Sequence, residues 1–199
     1  MNDAVALDPG FKMAHFQLAN LLMTERNYAQ AASHYTRAID LGFDNEFVRL
    51  MKSLAFVRLR RYGEGRAELE KSVAAFPESA SLATALARLL AACPEGSVRD
   101  PKRALELTQK LLVSNPAPDF DLVETYGMAL AGVGRFGDAT DLQKKMITEV
   151  ESANREDLAA ALKENLDLYE HGKACLVPWT DDDPIFTPQP GEIKLFEPR

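Results

Sequence analysis

Three stretches, Ala4-Val5-Ala6-Leu7-Asp8-Pro9, Ala38-Ile39-Asp40-Leu41-Gly42-Phe43 and Ser72-Val73-Ala74-Ala75-Phe76-Pro77, follow one another at steps of 34 residues in a chain of 199. The same shift carries Tyr28 onto Tyr62, Ala31 onto Gly65, and Ala19 through Ser53 to Ala87. A period kept at several independent positions marks an internal repeat, one supersecondary unit that cannot bury its apolar face alone. Between these anchors apolar residues recur every three or four positions, as in Leu18, Leu21, Leu22 and then Tyr28, Ala31, Ala32, Tyr35, Ala38, Ile39. That is the spacing of amphipathic helices, so each unit reads as two helices of about fourteen residues. The predicted fold is all-α: antiparallel helical hairpins stacked into a superhelix, or solenoid, with polar ends.

The pattern resembles the tetratricopeptide repeat (TPR), whose unit runs from a large residue through Leu and a small residue to an aromatic, then Ala, an aromatic and a closing Pro. Repeat one (12–45) supplies His15, Leu18, Ala19, Leu22, Ala31, Tyr35 and Phe43 at those places. Repeat two (46–79) supplies Arg49, Lys52, Ser53, Phe56, Gly65, Leu69 and Pro77. Repeat three (80–118) gives Ala83, Leu86, Ala87, Leu90, Ala104, Thr108 and Pro116 once five extra residues are allowed in the hairpin at 93–101. Repeat four (119–151) gives Val123, Tyr126, Gly127, Leu130, Ala139 and Gln143. Small side chains at Ala19, Ala31, Ser53, Gly65, Ala87, Ala104, Gly127 and Ala139 are expected to let neighbouring helices approach closely. Residues 152–172 read as a capping helix, with Asn154 as its N-cap and Gly172 as its stop. Residues 1–11 read as the end of an incomplete upstream repeat, which implies a natural start further upstream; the alternative is a homo-dimer through that open end.

Composition narrows the function. The chain is 46% hydrophobic and 27% charged, and 30 acidic against 23 basic side chains leave a net charge of -7. Such a surface repels phosphate backbones, so nucleic acid is not the expected partner. Arg58, Arg60, Arg61 and Arg66 form one basic cluster, read as solvated cations complementing a helix C-terminus. Cys93 and Cys175 have no CxxC or histidine spacing around them, and whether they pair is left open. No run is long and apolar enough for membrane insertion, and a cytoplasmic protein is expected.

Several motifs mimic chemistry. Gly132-Val133-Gly134-Arg135-Phe136-Gly137 matches GxGxxG, but that motif needs a preceding strand, whereas here it stands where a repeat turns. His15, His34 and His171 are scattered along the chain, and no Ser or Cys has a histidine and an acid arranged around it. Asp181-Asp182-Asp183 lacks the alternating spacing of a calcium loop and reads as a solvated turn. No catalytic residue, metal site or cofactor is expected, and the chain reads as a non-enzyme.

The TPR resemblance implies that the first helix of each unit lines a concave groove for a protein or peptide. Carried onto this chain, that face holds Met13, Phe16, Asn20 and Met23, then Phe47, Leu50, Met51, Leu54 and Val57, then Thr84 and Arg88, then Glu124. The other reading of the apolar members is that neighbouring helices cover them. Asn20 falls where the family's carboxylate clamp has its asparagine, but Phe16 stands in place of the lysine, so clamp binding is not expected. The Pro-rich tail at 173–199 keeps Leu176, Val177, Trp179, Ile185 and Phe186. Fixing some ten backbones from Leu176 to Phe186 costs roughly 10 to 20 kcal/mol, and burying the five apolar side chains returns roughly 8 to 15. The tail is therefore expected to order along the array, with Leu176, Trp179, Ile185 and Phe186 as contacts, or on a partner. The function implied is an interaction scaffold; the alternative is a non-catalytic repeat region or accessory subunit of a larger enzyme or complex.

Overall fold

A computed structural model of the protein describes residues 10–188. Most of the expected upstream half-repeat, residues 1–9, and the tail beyond 188 lie outside them. The described elements are α1 (Lys12–Thr24), α2 (Tyr28–Asp40), α3 (Glu46–Arg58), α4 (Tyr62–Ala75), α5 (Ala80–Ala92), α6 (Pro101–Ser114), α7 (Phe120–Gly132), α8 (Phe136–Ser152), α9 (Glu156–Glu170) and a 3-10 turn (Pro184–Phe186). No strand occurs among the described residues. The repeat is visible in the register: α1, α3 and α5 open at 12, 46 and 80, and α2 and α4 at 28 and 62. The next second helix, α6, waits until Pro101, because the longer loop after Cys93 delays it.

The chain divides into two compact units, Met1–Glu68 with Thr180–Arg199, and Leu69–Trp179. In the first, α2 packs on both α1 and α3. Ala19, Ala31 and Ser53 are completely buried there. Gly65 has the same role on α4: a Cβ on it would stand 3.1 Å from Val57 Cγ2, a tight contact that the absent side chain avoids where α4 lies on α3. Tyr35, also fully buried, keeps its hydroxyl satisfied by donating to Asn20 Oδ1 at 2.7 Å.

In the second unit α5 packs on α6 and α7, and α8 on α7 and α9. Every residue of α5 from Leu82 to Ala92 is buried, as befits a helix apolar on all sides. Met146, Ile147 and Val150 of α8 pack with Ala159 and Leu162 of α9, and Gln143 Nε2 donates to the Leu162 carbonyl at 3.0 Å. Helix starts are capped by side chains: Asp119 accepts from Leu122 N at 2.8 Å, and Asp100, ahead of Pro101, accepts from Arg103 N at 3.1 Å.

One closure recurs at helix ends. Arg26, Gly42, Arg60, Gly134, Asn154 and Gly172 have positive φ. In each case the next residue's N–H reaches back five residues, as from Asn27 to the Leu22 carbonyl at 2.7 Å and from Arg135 to that of Leu130 at 2.9 Å. Here the expectation for Asn154 is corrected. It does not cap α9; with φ +56 it closes α8, and Arg155, without a side-chain cap, precedes α9. Asparagine tolerates the left-handed region that this closure requires, and that need prevails over its N-cap preference.

Candidate functional site

The face marked out by the first helices is best followed in each unit separately. In the first unit the nine candidates split. Phe16, Met23, Met51, Leu54 and Val57 are buried within it, while Met13, Asn20, Phe47 and Leu50 are half-buried. Phe16 packs its ring on Phe43 at 4.9 Å and edge-on to Phe47 at 6.1 Å, so it is tied to the hairpin interior. Asn20 is engaged by Tyr35.

A segment of the chain's own tail packs on α3 in this unit. Arg58 Nη1 lies 2.5 Å from Asp181 Oδ1, and its guanidinium stacks over Phe186 at 4.8 Å and Tyr28 at 5.1 Å. Phe186 is buried and Ile185 half-buried. This corrects the reading of Arg58 as a solvated helix end. Arg61 of the cluster pairs with Glu64 one turn on while about half exposed; Arg58 is covered because the tail lies on its helix. The three acids are likewise more than a solvated turn. Asp181 pairs with Arg58, and Asp183 Oδ1 accepts from Ile185 N at 3.0 Å, capping the 3-10 turn. A hydrogen bond from Thr180 holds the Asp182 carboxyl below its ordinary value.

In the second unit, Arg88 on α5 and Glu124 on α7 form an ion pair of 2.6 Å. Thr84, one turn before Arg88, is buried with them. Asn165 of α9 donates its Nδ2 to Glu124 Oε1 at 3.4 Å. The tail meets this pair from the other side: Arg88 Nε donates to the Pro178 carbonyl, and the guanidinium faces the Trp179 ring at 6.0 Å. Trp179 and Cys175 are buried, whereas Leu176 and Val177 are 44% and 54% exposed. The Cys175 thiol donates to the Val177 carbonyl at 3.4 Å. Tyr169 of α9 is buried beside them with no hydrogen-bond partner for its hydroxyl. Burial first, and then its neighbours Cys175 and Glu124, keep that hydroxyl protonated far above the usual range.

A guanidinium that spends one edge on a carboxylate and turns Nε to a peptide carbonyl, with an indole against its face, can hold extended backbone together with an aromatic side chain. Asn165, Tyr169 and the Pro178 carbonyl went unmarked in the sequence. The first two share one face of α9 at i and i+4, a spacing that would have singled them out had the buried side of that helix been known.

The remaining candidates lie apart from these faces. GVGRFG is a helix-to-helix turn, with Gly134 at φ +83. His15 and His34 meet on facing helices, Nδ1 to Nδ1 at 2.9 Å. Cys93 and Cys175 are both free and buried. No group of three or more His, Cys, Asp or Glu among the described residues is placed to hold a metal ion, and no described helix is long and apolar enough to cross a membrane.

No protein-family profile matches the sequence, and no curated protein is similar to it. Solved structures do resemble it. YrrB, described as a TPR protein with an unusual peptide-binding site, aligns at TM-score 0.58 and 19% identity over 85% of this chain and 95% of its own. MamA MSR-1 C2 aligns at 0.53 and 20%, over 80% of this chain and 97% of its own. MamA AMB-1 P212121 aligns at 0.52 and 21%, over 82% and 93%. At these identities the likeness is one of fold: a TPR-like, all-α helical-hairpin repeat of the solenoid class.

Proposed function

From this TPR-like repeat fold we infer an interaction scaffold that holds an extended segment of a protein or peptide against first-helix faces and performs no chemistry of its own. The observation that carries the reading is the grip of Arg88 on the tail, a peptide carbonyl bound at Nε and an indole laid against the guanidinium. Nothing in that recognition depends on which chain supplies the peptide. A peptide-binding site is also named for YrrB. In the first unit, taken by itself, the half-buried Met13, Phe47 and Leu50 on α1 and α3 offer a separate adaptable apolar surface of the kind that suits peptide side chains. The net charge of -7 disfavours nucleic acid as the occupant.

The test is to pan a display library of random linear peptides on the full chain as wild type, Arg88→Gln and Phe47→Glu, with circular dichroism confirming that each variant is folded. Wild type is expected to enrich a family of peptides, and at least one variant to lose it by tenfold or more. A library that enriches nothing on the wild type, or the same peptides equally on all three proteins, would sink the reading.

A further inference from the structure

Resting on that reading, we propose that tail residues 175–179 are an internal stand-in for the partner on the α5, α7 and α9 face. The partner itself is an extended segment that supplies a backbone carbonyl followed directly by an aromatic side chain, as Pro178 and Trp179 do, with an oxygen acceptor three residues before the carbonyl.

Three observations carry this. First, Arg88 has its Nε committed to the Pro178 carbonyl and its Nη1 to Glu124. A foreign backbone reaches the same Nε only where the tail leaves it, so partner and tail compete for one donor. Second, the segment is held by few groups. It has no helix or strand of its own between the end of α9 at Glu170 and the 3-10 turn at Pro184. Leu176 and Val177 project outward, and from 175 to 179 only the short or terminal members Cys175, Pro178 and Trp179 are buried. The apolar return is therefore well short of what the sequence offered, and such a segment can be exchanged. Third, the seat is imperfectly filled. The Tyr169 hydroxyl is buried with no hydrogen-bond partner, although Cys175 is among the groups that act on it electrostatically. A thiol is a weak acceptor, and it is already turned to the Val177 carbonyl. A partner with a serine, threonine or asparagine oxygen at the place of Cys175 gives that hydroxyl the bond the tail does not. A stand-in less complementary than the true ligand keeps the face covered and yields when the ligand arrives.

The probe is a fluorescein-labelled nonapeptide, Gly-Lys-Ala-Ser-Leu-Val-Pro-Trp-Thr, the tail sequence around 175–179 with serine for the cysteine. Its binding is followed by anisotropy on the full chain as wild type, Trp179→Ala, and Trp179→Ala with Arg88→Gln. Binding to Trp179→Ala is expected to be at least tenfold tighter than to wild type, lost again with Arg88→Gln, and about fivefold weaker for the same peptide with alanine in place of serine. A second readout needs no change to the tail. In a Cys93→Ala background, excess peptide should raise the rate at which Ellman's reagent modifies Cys175 by tenfold or more. Equal affinity for all the variants would place the peptide elsewhere and overturn the proposal. So would an unmoved Cys175 rate with no peptide bound to any protein, since the tail would then be a fixed part of the fold. Tail exchange between copies, seen as a concentration-dependent dimer that Arg88→Gln abolishes, would replace the foreign partner with a second copy. A library result that stays positive through Phe47→Glu sensitivity alone would keep the scaffold reading while this proposal fails.

Discussion

The Arg88 guanidinium and the Glu124 carboxylate stand 2.6 Å apart with less than a tenth of either side chain exposed. Removing one partner from a buried ion pair strands the other charge, whereas removing both leaves an apolar contact. Glu124→Leu and Arg88→Leu are therefore each expected to cost about 3 to 5 kcal/mol, and the double variant Arg88→Leu, Glu124→Leu far less than the two single losses combined. Urea denaturation of the two single variants and the double checks this. Additive losses would show that the pair is not coupled as the geometry requires.

The three glycines of Gly132-Val133-Gly134-Arg135-Phe136-Gly137 should respond to alanine in three different ways. At Gly132 a Cβ would stand 2.6 Å from Pro101 Cβ, so the start of α6 must move; a loss of about 1 to 3 kcal/mol is expected. At Gly134 space is open but φ is +83, and alanine should cost about 1 kcal/mol in backbone strain. Gly137 lies in the first turn of α8 with nothing within 4 Å, and alanine should stabilise by up to about 1 kcal/mol through helix propensity. Thermal melts of the three variants rank them. A nucleotide-cradling loop would give no such order.

These glycines also show which parts of the fold can be read along the chain. Helical hairpins, the turn at Gly134 and the small contacts at Ala19, Ala31, Ser53, Ala87 and Ala104 were legible because each is a local pattern carried by the repeat, 34 residues long in the first units and longer after the loop at Cys93, and those five contacts are completely buried. The grip on the tail was not, because it joins Arg88 to Pro178 and Arg58 to Asp181, pairs 90 and 123 residues apart with no period linking them. The residue types were visible as a sticky, proline-broken tail and as polar residues on first helices. Their meeting is a product of tertiary structure. The same holds for Asn154: its preference for a cap or for a left-handed closure is equal in sequence, and the way α8 ends decides it.

The contact of His15 Nδ1 with His34 Nδ1 at 2.9 Å requires one ring to donate and the other to accept, so the accepting ring must be neutral. Burial, then the charge of His15, lowers the pKa of His34 from its ordinary 6.5. The unfolded chain therefore takes up this proton more readily than the folded one. The contribution of the pair to stability is complete above about pH 6.5 and is lost as pH falls through the folded value. Wild type should lose more melting temperature between pH 7 and pH 5 than His34→Gln. Parallel profiles for the two proteins would mean that the pair does not couple to folding.

Arg60 takes the same left-handed place at the end of α3 that Gly134 takes after α7, with φ +57 against +83. An L-residue there carries a strain of about 1 to 2 kcal/mol, which glycine avoids. Glycine also makes the unfolded chain freer, which costs about 0.5 to 1 kcal/mol on folding. The Arg60 side chain is exposed, so little packing is lost with it. The closing hydrogen bonds, Arg60 N to the Val57 carbonyl at 2.9 Å and Arg61 N to that of Phe56 at 3.0 Å, are made by the backbone and survive the change. Arg60→Gly should therefore stabilise by about 0.5 to 1 kcal/mol, a rise of roughly 1 to 4 °C in melting temperature for a chain of this size. A fall would mean that the arginine side chain holds this helix end in a way the backbone geometry does not require.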